Sequence, residues 1–370
     1  MMIQKERLLS TFLEYVQIDS ESTREGAMAA RLTEDMRKAG CRVEMDDSQR
    51  ETGSETGNLY CTLPGSGSGD AILLSAHMDT VVPGVGVRPL VQDGMIRSGG
   101  DTVLGGDDKS GIAVILEVIR TLAERGLPHP EIQVVFTVCE ELGLAGSRAI
   151  DYGRITAKKA AVLDGGGRPG KIVVSAPGKY GLDAAVLGRR AHAGTAPQEG
   201  ISAIQVAAEA ISHMRLLRID EETTANIGAI HAQYSTNVVP DRVELQAEAR
   251  SRNEEKLAAQ VRHMEDCLRS ACRKFGASLE LEVTKGYDAY AYGPEDPFVQ
   301  EVTQACRRAG LQPQIGVSGG GSDANNLNAN GIKALVLGTG MSKVHTLQEE
   351  IAVKDLEDTA ELVLALTTRQ

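Results

Sequence analysis

The chain has 370 residues, enough for one large domain or two smaller ones, and 42% of them are apolar, so a substantial core can form. Aromatic residues make up only 3% and Trp is absent, so aliphatic side chains must fill that core. The formal net charge of −12 argues against sequence-independent binding to nucleic acid, which requires basic surfaces that neutralise phosphates. The charge does not bear on catalysis, since an acidic soluble surface accounts for it.

The six cysteines are scattered without CxxC spacing, which is typical of reduced, mostly buried thiols in a cytoplasmic protein. The segment 1–16 carries charge early and has periodic apolar positions, which predicts an amphipathic helix. This segment has neither the features of a signal peptide nor the length of a membrane span. We therefore expect a cytoplasmic location and no membrane partner.

Strand-like and helix-like segments alternate over the first part of the chain, which predicts an α/β sheet covered by helices on both faces. Ser22 and Glu25 have the spacing of a capping box at the start of a helix that ends near Gly40. Buried strands are predicted at 71–76, 131–138 and 160–163, and a helix at 109–124.

A different pattern begins near Gly178 and ends near Gly286. It predicts helices at 201–216 and 253–275 and strands at 182–187, 242–249 and 279–283. The α/β pattern then resumes, with helices at 297–309 and 354–368 and a strand at 333–337. We interpret this as a smaller α+β domain, 178–287, inserted into an outer domain formed by 1–177 and 288–370.

Histidine and acidic residues follow the predicted buried strands. His77 and Asp79 follow the first strand, and residues i and i+2 of an extended chain point to the same side. Open α/β sheets bind ligands at the carboxyl ends of their strands, so this pair can serve one site there. Glu140 and Glu141 follow the second strand, where adjacent carboxylates repel unless a positive group is near. Taken alone, His77 could be an ordinary polar residue and the glutamate pair part of a solvated loop.

Three further segments add to this set. Asp107 and Asp108 lie between a Gly-rich turn and a helix start, where an N-cap explains only one of the two acids. Asp164 follows the third strand, and His345 lies in the loop after the strand 333–337. No single segment identifies a metal site. Together they supply histidine and carboxylate ligands that suit zinc, and a shared carboxylate suits a two-metal site.

Motifs throughout the chain resemble those of the co-catalytic zinc peptidases, the group of glutamate carboxypeptidase, aminoacylase and desuccinylase. The Gly-Gly-Asp-Asp-Lys form, with Asp164 rather than Glu, looks most like the peptidase T (tripeptide aminopeptidase) branch. This resemblance implies a zinc-peptidase catalytic domain with a mixed sheet and an inserted lid or dimerisation domain. The matching segments are SAHMDTV (75–81), LGGDDKSGIA (104–113), VCEELGLAGS (138–147), LDGGG (163–167), GRRAHAGTAPQEGISAI (188–204), TNVVPD (236–241), SGGGSDANNL (318–327) and VHTLQEEI (344–351).

The resemblance also implies a role for each residue of the set. Asp79 orients a ligating histidine, and Glu140 is the general base that takes a proton from the metal-bridged water. The peptide bond between Asp107 and Asp108 is expected to be cis. Two Zn²⁺ ions are implied, with Co²⁺ or Mn²⁺ as substitutes. The implied ligands are His77 and Asp164 for one zinc, Glu141 and His345 for the other, and Asp107 for both.

Four substrate-binding residues are implied outside the metal site. His192 would reach the active site and hydrogen-bond the developing oxyanion, whereas without the resemblance it would be a surface-loop histidine. Asn237 and Arg250 would hold the substrate, and Arg250 could pair with a terminal carboxylate, a role for which Arg252 is a rival. The Gly-rich loop around Gly320 would let the backbone approach the substrate, or it is simply a tight turn.

The function favoured by the sequence is hydrolysis of amide bonds in short peptides by a peptidase T-like aminopeptidase. One alternative is a carboxypeptidase or N-acyl-amino-acid deacylase, because the same metal site serves all of these. Another is a protein that binds metal or peptide without turnover, and the presence of Glu140 beside a complete ligand set argues against it. The expected partners are a short peptide substrate and, through the inserted domain, a second copy of the chain, but not nucleic acid.

Overall fold

The computed structural model describes residues 3–368. The helices, in chain order, are α1 (Lys5–Val16), α2 (Gly26–Lys38), α3 (Gln49–Thr52), α4 (Gly106–Arg125), α5 (Ala145–Arg148), α6 (Ala203–His213), α7 (Glu254–Phe275), α8 (Pro297–Arg308), α9 (Asp323–Ala329) and α10 (Val353–Thr367). The strands are β1 (Arg42–Met45), β2 (Leu59–Leu63), β3 (Ile72–His77), β4 (Pro89–Gln92), β5 (Met95–Ser98), β6 (Ile132–Thr137), β7 (Lys159–Gly165), β8 (Lys171–Ala176), β9 (Gly178–Leu187), β10 (Ala191–His192), β11 (Leu217–Arg218), β12 (Thr223–His231), β13 (Val238–Val239), β14 (Arg242–Ser251), β15 (Ser278–Tyr287), β16 (Tyr290–Ala291), β17 (Gln314–Val317), β18 (Lys333–Gly338) and β19 (Glu350–Ala352).

Two compact units divide the chain. The second unit, which we call the inserted unit, is Ser175–Ala291 together with Ser318–Gly321. The first unit, the outer unit, runs up to Val174 and resumes with Tyr292–Val317 and again from Ser322. The short stretch 318–321 therefore packs with the inserted unit, although the sequence analysis assigns it to the outer domain.

The outer unit is built on a large mixed sheet. Its strands lie in the order β1-β2-β6-β3-β7-β18-β8, and β17 adds to β8. The central strands β6, β3, β7 and β18 run parallel, whereas β1, β2 and β8 are antiparallel to their neighbours. Parallel strands are buried on both faces, which is why they read as continuous apolar runs in the sequence. The carboxyl ends of four central strands consequently meet at one edge of the sheet.

Helices cover both faces of this sheet, as the sequence predicts. Helix α4 packs against β3 and β7 and is itself covered by α1 and α10, so its side chains are buried over most of its length. Helix α9 packs against β7 and β18. Aliphatic side chains dominate the core, among them Leu74, Ile115 and Leu335, none of which is exposed. The scarcity of aromatic residues is thus met by closely packed Leu, Ile and Val.

The capping box predicted at Ser22 and Glu25 is wrong. Glu25 is itself the N-cap residue of α2, and its side chain makes no capping bond to that helix. The Ser22 hydroxyl donates instead to Asp79, and the Glu25 carboxylate accepts the backbone N–H of Cys139. Tertiary partners have therefore replaced the local ones that the spacing suggested.

The inserted unit has a five-stranded antiparallel sheet in the order β11-β12-β14-β9-β15. Helices α6 and α7 pack on this sheet and bury small and aliphatic side chains such as Val206, Val243 and Leu268. The alternation of buried and exposed residues along β14 and β15 is that of a sheet with one covered face. Within residues 3–368, no helix combines the length and the apolar character needed to cross a bilayer.

Candidate metal centre

The acidic and histidine side chains singled out in the sequence converge where the central parallel strands end. His77 is the last residue of β3, Glu140 and Glu141 follow β6, and Asp164 lies near the end of β7. His345 lies in the loop that follows β18. Since β6, β3, β7 and β18 are consecutive neighbours in the sheet, residues far apart in the chain reach one place.

Asp107 joins this group from the start of α4, where the backbone is not helical. Its φ and ψ are −81° and 101°, and the peptide bond between Asp107 and Asp108 is cis, which confirms the expectation from the sequence. The Oδ1 of the Asp107 carboxylate lies 3.0 Å from Nε2 of His77, and its Oδ2 lies 3.3 Å from Nε2 of His345. Asp107 is thus placed between the two histidines.

Two clusters of ligand atoms share this carboxylate. On one side, Nε2 of His77 lies 3.8 Å from Oδ1 of Asp164. On the other side, Nε2 of His345 lies 2.9 Å from Oε1 of Glu141. These are the two pairs that the family resemblance assigns to separate zinc ions.

The donor set fits divalent metal ions. The ligand atoms form three overlapping sets, and within each set they lie within 4.8 Å of one another. Histidine nitrogen and carboxylate oxygen are ligands that zinc accepts in catalytic sites. The sets are His77, Asp107 and Asp164; His77, Glu140 and Glu141; and Asp107, Glu141 and His345.

The electrostatics of the centre favour a bound cation. Hydrogen bonds to Asp107 and Glu141 raise the pKa of His345 to about 10. Burial raises the pKa of Asp164 well above its usual value, and the charge of Asp107 acts in the same direction. Burial likewise raises the pKa of Glu140. Carboxylates crowded in a buried place disfavour their own ionisation, and nearby positive charge relieves this.

Asp79 lies behind the cluster and is fully buried. Its Oδ1 accepts the backbone N–H of Glu140 at 2.9 Å, and its Oδ2 accepts that of Glu141 at 3.2 Å. Nδ1 of His77 lies 2.9 Å from the carbonyl oxygen of Asp79 and 3.4 Å from its Oδ1. Asp79 therefore fixes both the ring of His77 and the backbone of the glutamate pair.

Two positioning residues were not recognised from the sequence. The buried Glu25 accepts the N–H of Cys139, which has a left-handed φ of +49° immediately before Glu140. The buried Asp108 accepts the N–H of His77 at 3.2 Å. Isolated acidic residues carry no sequence signal for such a role, although the adjacency of Asp108 to Asp107 was a hint.

The inserted unit contains all four substrate-binding candidates. His192 and Asn237 lie together: β10 pairs with β13, and the N–H of Ala193 donates to the carbonyl of Asn237 at 2.9 Å. Both residues are exposed. Nδ1 of His192 accepts the N–H groups of Gly194 and Thr195, each at 3.1 Å, so its Nε2 is the nitrogen that points outward.

Arg250 and Gly320 form the second pair. A Cβ on Gly320 would lie 3.9 Å from Nη1 of Arg250, whose Nε and Nη2 donate to the carboxylate of Glu248 at 2.8 and 3.0 Å. Nη1 is therefore the nitrogen that faces the Gly-rich loop. The rival Arg252 donates through Nη2 to the carbonyl of Glu221 at 3.3 Å.

Comparisons with known proteins identify the family of the chain. The chain is 44% identical to aminopeptidase PepT of Bacillus cereus ATCC 10987, with a TM-score of 0.92 and 99% of each chain covered. It is 39% identical to a tripeptidase of Staphylococcus aureus subsp. aureus Mu50, with a TM-score of 0.95 and coverage of 99% of this chain and 98% of that one. Over 99% of its length and 98% of the relative's, it is 42% identical to the uncharacterized protein YqjE of Bacillus subtilis strain 168. Residues 73–369 match peptidase family M20/M25/M40, and the chain therefore belongs to that family of metallopeptidases.

Proposed function

We propose that this protein is a zinc-dependent aminopeptidase that acts on short peptides, tripeptides foremost. The observation that carries the proposal is that Asp107, at the start of α4, meets His77 and Glu141, which end or follow parallel strands, in overlapping ligand sets. The substrate class is supported by the similarity to an aminopeptidase PepT and to a tripeptidase over nearly the whole chain.

Metal ions bound by this set supply Lewis acidity toward water and toward the peptide carbonyl. The residues of the chain do the rest. Glu140 is buried beside the ligands and has a raised pKa, so it can take a proton from the attacking water and deliver it to the leaving amine. Asp79 holds the backbone N–H of Glu140 and thus keeps the base in place.

The two adjacent glutamates are given different roles by their contacts. Oε1 of Glu141 lies 2.9 Å from Nε2 of His345, and Glu141 shares a ligand set with Asp107 and His345. Glu140 is absent from that set and belongs instead to the set of His77, Glu140 and Glu141. We therefore assign Glu141 as a ligand and Glu140 as the general base.

The inserted unit supplies the proposed substrate contacts. Nε2 of His192 is available to hydrogen-bond the oxyanion, and Nη1 of Arg250 is available to a terminal carboxylate. Asn237 and Gly320 adjoin these two residues in the same unit. We further propose a homodimer through this unit and a cytoplasmic location, which the six free cysteines support.

The proposal is tested by metal content together with a peptide panel. The panel contains free tripeptides, the same tripeptides N-acetylated, N-acetyl amino acids and peptides with a C-terminal glutamate. We expect two zinc ions per chain and release of the amino-terminal residue from free tripeptides only. Hydrolysis of the acylated compounds with free tripeptides untouched would contradict an aminopeptidase, and the absence of hydrolysis by the metal-loaded protein would indicate binding without turnover.

The assignment of the general base is tested by a matched pair of substitutions, Glu140→Gln and Glu141→Gln. Glu140→Gln should keep both metal ions but lower kcat by about 10²- to 10⁴-fold, the usual contribution of a general base. Glu141→Gln should lose metal from the site that it shares with His345. If Glu140→Gln retained full activity, or lost metal as Glu141→Gln does, the assigned base would be wrong.

A further inference from the structure

Glu349 is a buried carboxylate to which the reaction proposed above gives no role. Its side chain is only 2% exposed, and it accepts three backbone N–H groups. Oε2 accepts from Leu104 at 2.8 Å and from Gly105 at 2.9 Å, and Oε1 accepts from Asp107 at 2.9 Å. Every one of these donors belongs to the turn that carries Asp107 to the metal centre.

The glycine pair that precedes Asp107 is explained by this carboxylate. Gly105 has a left-handed φ of +71°, which turns its N–H toward Glu349. A Cβ on Gly106 would lie 3.0 Å from Oε1 of Glu349, so a side chain there would press against the carboxylate. The turn is thus shaped to receive Glu349.

Glu349 also belongs to the segment that carries His345. The N–H of Glu349 donates to the carbonyl of Thr346 at 3.1 Å, which closes the turn after His345. The base of this segment is fixed by two backbone hydrogen bonds between Ser342 and Glu350. A single side chain therefore ties the segment of His345 to the turn of Asp107.

We propose that Glu349 is a positioning residue that sets the distance between Asp107 and His345 and so determines metal affinity at the set of Asp107, Glu141 and His345. The inference rests on the proposed two-metal function. Residues that orient metal ligands affect affinity because the ligands must be held before the ion binds. Within residues 3–368 neither His77 nor Asp164 is hydrogen-bonded to Glu349. The set that they form with Asp107 depends on Glu349 through Asp107, so it should be affected less than the set that also contains His345.

A purely structural role is separated from positioning by a matched control. Glu117, in α4, is another buried carboxylate, and it accepts the N–H of Gln4 at 2.8 Å and the guanidinium of Arg7 at 2.7 Å, away from the metal centre. Glu117→Gln and Glu349→Gln each remove one buried charge from the outer unit. Only Glu349→Gln changes a side chain that is hydrogen-bonded to the turn of Asp107.

The experiment is a calorimetric titration of zinc into the metal-free full-length protein, with metal content measured after dialysis. The parent and Glu117→Gln should bind two ions. Glu349→Gln should bind the second ion about 10- to 100-fold more weakly, as expected for loss of a residue that supports a ligand, and the first ion with a smaller loss, because Asp107 belongs to both sets. Gly106→Ala keeps the carboxylate but crowds it, and should weaken the second ion in the same direction; it serves as the test if Glu349→Gln does not fold.

The outcomes separate the two proposals. If Glu349→Gln bound both ions with the affinity of the parent, while the parent hydrolysed tripeptides, the positioning role would be overturned and the proposed function would stand. Where Glu349→Gln does not fold, the same result in Gly106→Ala would have the same meaning. Equal weakening in Glu117→Gln would also overturn it, because the effect would then be one of general stability. A parent that binds no metal would overturn both.

Discussion

Glu25 provides a sensitive test of how the loop that carries Glu140, the proposed general base, is held. One carboxylate oxygen, Oε1, accepts the backbone N–H of Cys139 at 3.0 Å and that of Thr23 at 3.1 Å, while the other accepts the hydroxyl of Ser54. The change Glu25→Gln keeps the size of the side chain but removes the charge. If the oxygen of the new amide stays at the two backbone N–H groups, its NH₂ faces Ser54. The Ser54 hydroxyl can then rotate and accept a hydrogen bond from that NH₂.

The free energy that the loop loses in Glu25→Gln follows from the two backbone hydrogen bonds. A hydrogen bond to a charged group contributes about 1.5–3 kcal/mol, and one between neutral groups about 0.5–1.5 kcal/mol. Two bonds that change from charged to neutral therefore lose about 2 kcal/mol together. Because about 1.4 kcal/mol corresponds to a factor of ten in an equilibrium constant, local opening of the loop should become about 30-fold more frequent.

Amide hydrogen exchange of the metal-free protein, read on peptides that contain Cys139, measures this opening directly. We expect exchange at Cys139 to be about 30-fold faster in Glu25→Gln than in the parent. Glu34→Gln is the control, since Glu34 lies in α2, the helix that begins after Glu25, and its carboxylate pairs with the exposed Lys38. Exchange at Cys139 within twofold of the parent would refute the view that Glu25 holds this loop.

Two other predictions concern the core and the thiols. Leu335→Ala in β18 should lower the free energy of unfolding by about 2–5 kcal/mol, measured as a fall in melting temperature, because its side chain is completely buried. Burial raises the pKa of Cys306 to about 11 and of Cys41 to about 12, so at pH 8 the half-buried Cys267 should be the first thiol to react with an aromatic disulfide reagent. Since these pKa values lie above the ordinary value of 9.0, the thiols of the unfolded chain lose their protons at lower pH than those of the folded chain. The free energy of unfolding should therefore fall as the pH rises from about 9 toward 11. A reaction of Cys306 before Cys267 would contradict the burial of Cys306.

The long elements and the convergence of the candidate metal ligands could be predicted because their signals are local. The apolar run before His77 identified β3, and the rule that ligands gather at the carboxyl ends of parallel strands then indicated the site. Helices α7 and α8 begin and end within one residue of the predicted positions for the same reason, since their caps and periodicity are written in neighbouring residues.

The remaining features depend on partners distant in the sequence. Ser22 and Glu25 have the spacing of a capping box, and nothing nearby reveals that their acceptor and donor are Asp79 and Cys139. Strand β19 pairs with β5, where Glu350 lies opposite Arg97, and neither short strand has a pattern of its own. The role of Glu349 likewise depends on a hydrogen bond from the backbone of Asp107, which is distant in the sequence.

The position of β18 has a consequence for the folding of the chain during its synthesis. This strand lies between β7 and β8, yet it is synthesised after the whole inserted unit. The place between β7 and β8 therefore cannot be filled until residues 333–338 have been synthesised, and His345 follows them in the chain. Such long-range pairing is late and slow in folding. A nascent chain therefore lacks a complete set of the proposed metal ligands until His345 has been synthesised.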